Sequence, residues 1–211
     1  MNILILDPAN STGYCVVQVN NNIANITNWG FIDIEPNEIA GNEYLSYIDM
    51  VENLIKAYDI EEIAHEDYFF SKFASQGANK NCSFRAMIQM VACKHHIPYT
   101  VINISLWKKF INGRTTPTKL QKDQWGKEPA KKLMTQESLW KTWGIKFPNH
   151  SLSQKTKKPI KFRYDIVDAV AMAIFYVSIY HRIHNINYNV ETIPDHKWKK
   201  QPKGIYNYGD I

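Results

Sequence analysis

Cysteine is scarce in this 211-residue chain: Cys15, Cys82 and Cys93 are an odd number at wide spacings, and no two form a Cys-x-x-Cys pair. That pattern suggests neither a disulfide framework nor a zinc knuckle, so the three read as ordinary buried thiols in a reducing compartment. Long apolar runs are missing as well, since none approaches the roughly 18 residues needed to cross a bilayer. The opening Met1-Asn2-Ile3-Leu4-Ile5-Leu6-Asp7 lacks the basic head, extended apolar stretch and small-residue cleavage site of a secretory signal. The chain is therefore expected to remain in the cytoplasm where it is made and not to be secreted. There are no internal repeats, and with 45% hydrophobic and 21% charged residues neither a fibrous nor a wholly disordered chain is compatible with the composition. One globular domain, with at most a small appendage, is what this length supports.

Acidic residues are nearly absent from one stretch. Residues 94–163 hold 16 Lys/Arg against 3 Asp/Glu, a net of +13, whereas residues 1–93 hold 4 against 12, a net of −8. The remaining residues, 164–211, balance at 5 against 5. A basic middle block beside acidic flanks suits a protein that binds a polyanion and keeps carboxylates for another purpose. A solvated lysine-rich face is the structural alternative.

The apolar pattern predicts the elements. Asn2 to Leu6 is a buried strand stopped at Asp7-Pro8, and Tyr14 to Val19 and Ile23 to Ile34 continue as strands around Asn20-Asn21-Asn22, most simply an antiparallel meander. Leu45, Ile48, Val51 (or Glu52) and Ile55 predict an amphipathic helix over 42–58. Ile60 to Glu66 is a strand, Asn81 to His95 a helix with Phe84, Met87, Ile88, Val91 and Ala92 on one side, and Tyr99 to Ile104 a strand. Ser105 is placed to cap a short helix through Phe110. Thr115 to Trp125 reads as a mobile basic loop, Glu128-Pro129 opens a helix to about Trp143, and Ser151 to Lys161, with four lysines, reads as a flexible loop. Tyr164 to His181 is the longest expected helix, followed by a polar, aromatic tail. The order predicts an α/β layer fold around a five-stranded mixed sheet with an antiparallel opening.

Four carboxylates sit where solvation would not put them. From Ile166 to Tyr180 every residue is apolar or aromatic except Asp168 and Ser178, so a helix buried all round carries a carboxylate that costs several kcal/mol unless partnered. Asp165, three residues earlier, shares its face. The structural alternative is that Asp165 complements the helix dipole and Asp168 meets an arginine such as Arg163. Asp7 and Glu66 each end a predicted strand; an Asp-Pro turn and an exposed strand end are their plainer roles. If adjacent strand ends face that helix, four carboxylates converge at one edge of the sheet, repel one another, and call for cations. Oxygen-only donors suit Mg²⁺ or Mn²⁺. Two hard cations beside a +13 block point to phosphodiester chemistry.

These residues resemble the RuvC family of Holliday junction resolvases, in the RNase H-like superfamily. Ile3-Leu4-Ile5-Leu6-Asp7-Pro8 with Thr12-Gly13-Tyr14 is similar to the family's first motif, Ala64-His65-Glu66 with Tyr68-Phe69 and Lys72 to its second, and Asp165-Ile166-Val167-Asp168-Ala169 with Ala171 and Ala173 to its third. The resemblance spans about residues 3–180. It implies an RNase H-like nuclease domain over 1–183 and a C-terminal extension over 184–211. It implies a homodimer that cuts two symmetric strands of a four-way DNA junction, with Asp7, Glu66, Asp165 and Asp168 as catalytic ligands for two Mg²⁺ ions, which Mn²⁺ can replace. Phe69 would fall on the aromatic that wedges into the junction, and its plainer role is that of a core phenylalanine. Lys108 would match a basic catalytic residue near the scissile phosphate, with Lys131 or Lys132 as a second, and Lys72, Lys109 and Arg114 as further DNA contacts.

Ala9 stands where the family has a glycine after Asp-Pro, which puts the shape of that turn in question, and His65 replaces a usual apolar neighbour. Segments 113–127 and 146–163 exceed those of compact members. The Asn-, Ile- and Lys-rich composition suits a virus or phage, so the cytoplasm is that of a bacterial cell or a virus-infected host. Two other readings stand beside the resolvase: an RNase H-like nuclease acting on forks, flaps or RNA:DNA hybrids, and a non-catalytic nucleic-acid-binding protein. Four carboxylates argue against the last, because binding phosphate gains nothing from added negative charge. His181-x-x-His184 has no third ligand in sight for zinc.

Overall fold

A computed structural model of the chain describes residues 1–34, 41–67, 76–147, 150–152, 159–161, 164–188 and 205–207. Phe69, Lys72 and Arg163 lie outside the described residues.

The opening meander forms as its alternation demands. Strand β1 (Asn2–Asp7) pairs antiparallel with β2 (Ser11–Asn20), which pairs antiparallel with β3 (Ile23–Asp33). The β2–β3 turn is made by Asn21 and Asn22, both at positive φ (48° and 62°). A two-residue hairpin that follows the twist of its strands requires this conformation, and asparagine tolerates it better than most side chains. Successive residues of β1 then face opposite ways. Ile3 and Ile5 enter one buried cluster, while Leu4 and Leu6 enter the other.

Helix α1 (Asn42–Ala57) returns the chain so that β4 (Glu62–Glu66) lies parallel to β1, and α2 (Gln76–Lys94) does the same for β5 (Tyr99–Ile102) beside β4. Helices α3 (Ile104–Asn112), α4 (Lys119–Trp125) and α5 (Lys127–Trp143) follow, then a small hairpin of β6 (His150–Leu152) and β7 (Pro159–Lys161). Helix α6 (Asp165–Ile179) crosses the sheet, and β8 (Asn185–Tyr188) and β9 (Ile205–Asn207) both pair with β3. The main sheet runs β5-β4-β1-β2-β3-β8, with β9 off that path. Buried residues of α6 and α3 pack on one face and those of α1 and α2 on the other. Among the described residues, no helix is long and apolar enough to cross a membrane.

The mixed α/β class and the five-strand order are as expected, and two strands are added on the β3 edge. Other details differ. Leu45 is 61% exposed, and the buried face of α1 is Tyr47, Val51, Leu54 and Ile55, so the stripe runs one position away from Leu45. Asn103, not Ser105, caps α3: its side chain accepts from the backbone N–H of Ser105 and Leu106. The expected loop at 115–125 contains α4, started by a capping box in which Thr118 and Gln121 satisfy each other's backbone donors. Helix α2, with 19 residues, exceeds the 15 of α6. The expected loop at 151–161 carries β7 and most of β6. Only Cys15 is buried; Cys82 is half-buried and Cys93 exposed on the last turn of α2.

Candidate active site

Register brings the first two carboxylates together. Leu6 on β1 stands opposite His65 on β4, so Asp7 and Glu66 leave the same end of two adjacent parallel strands. On its other side Asp7 faces Gly13 of β2. The first turn of α6 lies directly over Gly13: a Cβ built there would stand 2.0 Å from the Asp165 carbonyl oxygen and 2.3 Å from its carbon. Gly13 is needed for the space it leaves, since its φ is not among the positive values. That close approach seats Asp165 and Asp168, both in the helix's first turn, beside the strand ends.

The Asp-Pro turn does without the family's glycine. Ala9 is not among the positive-φ residues, and Thr12 braces it: the Ala9 N–H donates to Thr12 Oγ1 (3.2 Å), and the Thr12 hydroxyl donates to the Ala9 carbonyl (2.8 Å). His65 is fully buried and adopts a structural role. Its Nδ1 lies 3.0 Å from the Glu66 carbonyl and its Nε2 3.1 Å from the Gln89 side-chain amide, which a tautomer protonated at Nδ1 satisfies. Burial lowers the affinity of His65 for a second proton.

Helix α3 supplies the counter-charge. Trp107 is completely buried and its indole N–H donates to Glu66 Oε1 at 2.8 Å, while the Lys108 ammonium stands 5.0 Å from the centre of the same ring. Lys108 favours the ionised form of Asp7, Glu66 and Asp168 alike. Lys132 of α5, over the Tyr164 ring at 5.9 Å, acts on Asp168 as well. Of the other cations named from the sequence, Lys109, Arg114 and Lys131 are exposed. Arg114 helps line a cavity of about 340 Å³ between α4 and α5 that includes none of the four carboxylates. His181 faces Glu62 at 3.1 Å, far along α6 from Asp168, and the described residues offer no zinc set around it.

The carboxylates sense one another. Burial, then repulsion from Glu66, Asp168 and Asp165, holds the Asp7 carboxyl well above its usual range. Burial, with repulsion from Glu66 and Asp165, pushes Asp168 up to about 7 against the pull of Lys108. Burial raises Glu66 too, opposed by Lys108 and by hydrogen bonds from Trp107 and Asp7. Burial thus disfavours the charged form of both Asp7 and Glu66. Among the described residues no three such side chains are yet drawn close enough to grip an ion. The donor chemistry nevertheless fits a hard divalent cation: carboxylate oxygens only, held apart by mutual repulsion that a cation would relieve.

A pH-dependent stability follows. A carboxyl with a folded value above its unfolded one binds more protons in the folded state, so its contribution falls as pH rises from about 4 to about 7. His65, held neutral by burial, acts in the opposite direction near its ordinary value of 6.5. A comparison of variants isolates the cluster. At pH 7.5 without divalent ions, Asp168→Asn should be more stable than the unaltered chain by about 2 kcal/mol, or roughly 4–8 °C in Tm. That gap should close at pH 4.5 and narrow on adding Mg²⁺. Equal melting curves at both pH values would mean that Asp168 is not under this strain.

Trp107 and the spatial role of Gly13 were not evident from the sequence. Trp107 shares the buried stripe of α3 with Ile111, which marks it as core, and only its position next to Lys108 hinted at more.

The family model for crossover junction endodeoxyribonuclease RuvC matches residues 3–128, which is more than half of the chain. A protein named crossover junction endodeoxyribonuclease RuvC from a Nitratiruptor species is 28% identical over 177 residues, covering 82% of this chain and 94% of that protein. One of the same name from a Sulfurovum species is 26% identical over 125 residues, covering 57% and 76%. Among solved structures, T. thermophilus RuvC in complex with Holliday junction substrate superposes with a TM-score of 0.60 at 19% identity, over 88% of this chain and 97% of that one. The sheet order, the meeting of three motifs at one sheet end and these matches lead to one conclusion: the chain belongs to the RuvC family of crossover junction endodeoxyribonucleases.

Proposed function

We propose that this protein is a cytoplasmic nuclease that resolves four-way DNA junctions as a homodimer, with Asp7, Glu66, Asp165 and Asp168 holding two Mg²⁺ ions. The observation that carries this reading is the juxtaposition of Asp7, Glu66 and the first turn of α6, two strand ends and a helix remote in sequence, where the neighbouring carboxylates disfavour charge on Asp7 and Asp168 and Lys108 offsets it. A surface that only binds DNA has no use for such an arrangement. When bound, the ions would polarise the attacking water and neutralise charge on the departing oxygen. The protein's own groups do the rest. Water attacks phosphorus, the P–O bond opposite it breaks, and the proton that water gives up ends on the departing oxygen; Lys108, held beside the carboxylates, would offset charge on the phosphate oxygens. Glu66, fixed by the indole N–H, keeps one carboxylate oxygen turned away from the protein donor. Lys109, Arg114, Lys131 and Lys132 guide the duplex arms through phosphate contacts, and Phe69 and Lys72, which follow Glu66 in sequence, are assigned to contacts with the junction. We assign the nuclease unit to residues 1–183 and an extension to 184–211.

A synthetic mobile four-way junction, a fork and an RNA:DNA duplex, incubated in parallel with protein and Mg²⁺ and mapped on sequencing gels, test this. Paired nicks at symmetric positions on the junction are expected. Cutting confined to the RNA strand of the hybrid would refute it.

A further inference from the structure

We infer that Trp107 is a positioning residue for this site, one rigid indole that fixes the cation-binding orientation of Glu66 with its N–H edge and the placement of Lys108 with its face. This rests on the reading of Glu66 as a metal ligand. The Trp107 side chain is wholly buried in the cluster that holds Ile102, Ile111, Leu139 and α6, so packing sets its rotamer. Its single polar atom makes its bond to Glu66 Oε1 at 2.8 Å, from α3 to the end of β4. An indole N–H can only donate, so it cannot compete for a cation, and no water reaches a residue with zero exposure to replace it.

The two contacts use opposite ends of the ring's charge distribution. The N–H edge is positive and meets the carboxylate; the π face is negative and lies 5.0 Å from the Lys108 ammonium. One side chain thus spaces an anion and a cation that would otherwise be drawn into direct contact, which would tie up the carboxylate. With Oε1 held by the protein, Oε2 is the oxygen left for a cation. Outer partners that orient ligands in this way are commonly worth 10–100-fold in metal affinity or activity.

Trp107→Phe keeps an aromatic ring and removes the donor. Its Mg²⁺ half-saturation, read by calorimetry and by the Mg²⁺-dependent rise in Tm, should increase by roughly 10-fold. Junction cleavage should recover most of its rate at saturating Mg²⁺. A role confined to packing would lower Tm and leave the half-saturation where it was, and that result overturns the inference. Glu66→Gln separates the two readings. If it abolishes the Mg²⁺ response while Trp107→Phe leaves half-saturation unchanged, only the role of Trp107 fails; if it keeps the full response, the metal-site reading fails first. Should Trp107→Phe not fold, the indole ¹⁵N–¹H spectrum of the unaltered chain carries the test. One of the six tryptophan resonances must move both on Mg²⁺ titration and in Glu66→Gln, and six that move in neither case reject the inference.

Discussion

Asp7→Asn binds a four-way junction as tightly as the unaltered chain and cuts it at least about 10³-fold more slowly, a loss of roughly 4 kcal/mol in transition-state stabilisation. Asparagine has the shape of aspartate, so the end of β1 and its pairing with Gly13 are kept. What disappears is the negative charge that the proposed cations need. Binding should not suffer, because the proposed phosphate contacts draw on a block of net +13 in residues 94–163, and removing an anion near phosphate can only help. Folding should not suffer either, since burial and three neighbouring carboxylates all oppose charge on Asp7. Electrophoretic mobility shift in EDTA gives the binding half and a timed cleavage assay in Mg²⁺ the other. Full cutting by this variant would move the catalytic centre away from the end of β1.

Which parts of this site could be read from the residues follows a physical pattern. Asp7 and Glu66 could be found because a buried strand is a continuous apolar run, and a carboxylate at its end breaks that run visibly. Asp168 could be found for the same reason within the apolar stretch of α6. The meeting of the three needs the parallel register of β1 and β4, which local sequence does not encode; it emerges from packing α1 against one face of the sheet. Trp107 stayed hidden because a core tryptophan and one whose N–H holds a carboxylate look the same in a hydrophobic pattern. Helix α4 was masked by its lysines, which suit a solvated helix as well as a loop, and its start depends on the Thr118–Gln121 capping box. Strand β8 went unseen because Asn185–Tyr188 alternates exposed and half-buried positions at a sheet edge, where packing places little demand on residue type.

Gly13→Ala should be severely damaging for a change of one carbon. The added Cβ would meet backbone, with the Asp165 carbonyl oxygen at 2.0 Å, its carbon at 2.3 Å and the Ile166 nitrogen at 2.9 Å, and none of these can rotate aside as a side-chain tip would. Either the first turn of α6 lifts from β2 or β2 bends away from β1. The first movement is opposed by Ile166, Val167, Ala169 and Val170, all fully buried in the core beneath the sheet. Overpacking of this kind costs about 3 kcal/mol or more, roughly 6–12 °C in Tm for a chain of this size. The catalytic loss should exceed what unfolding explains. Asp165 and Asp168 ride on the turn that moves, and an error of about 1 Å in placing a reacting group costs on the order of 10²-fold in rate. Cleavage is therefore to be measured well below the variant's own Tm, with junction binding as the control for folded protein. Binding retained, with the rate down by that factor, would place the effect in the carboxylates on α6. A variant that melts and cuts like the unaltered chain would require α6 to stand farther from β2 than the backbone contact at Gly13 allows.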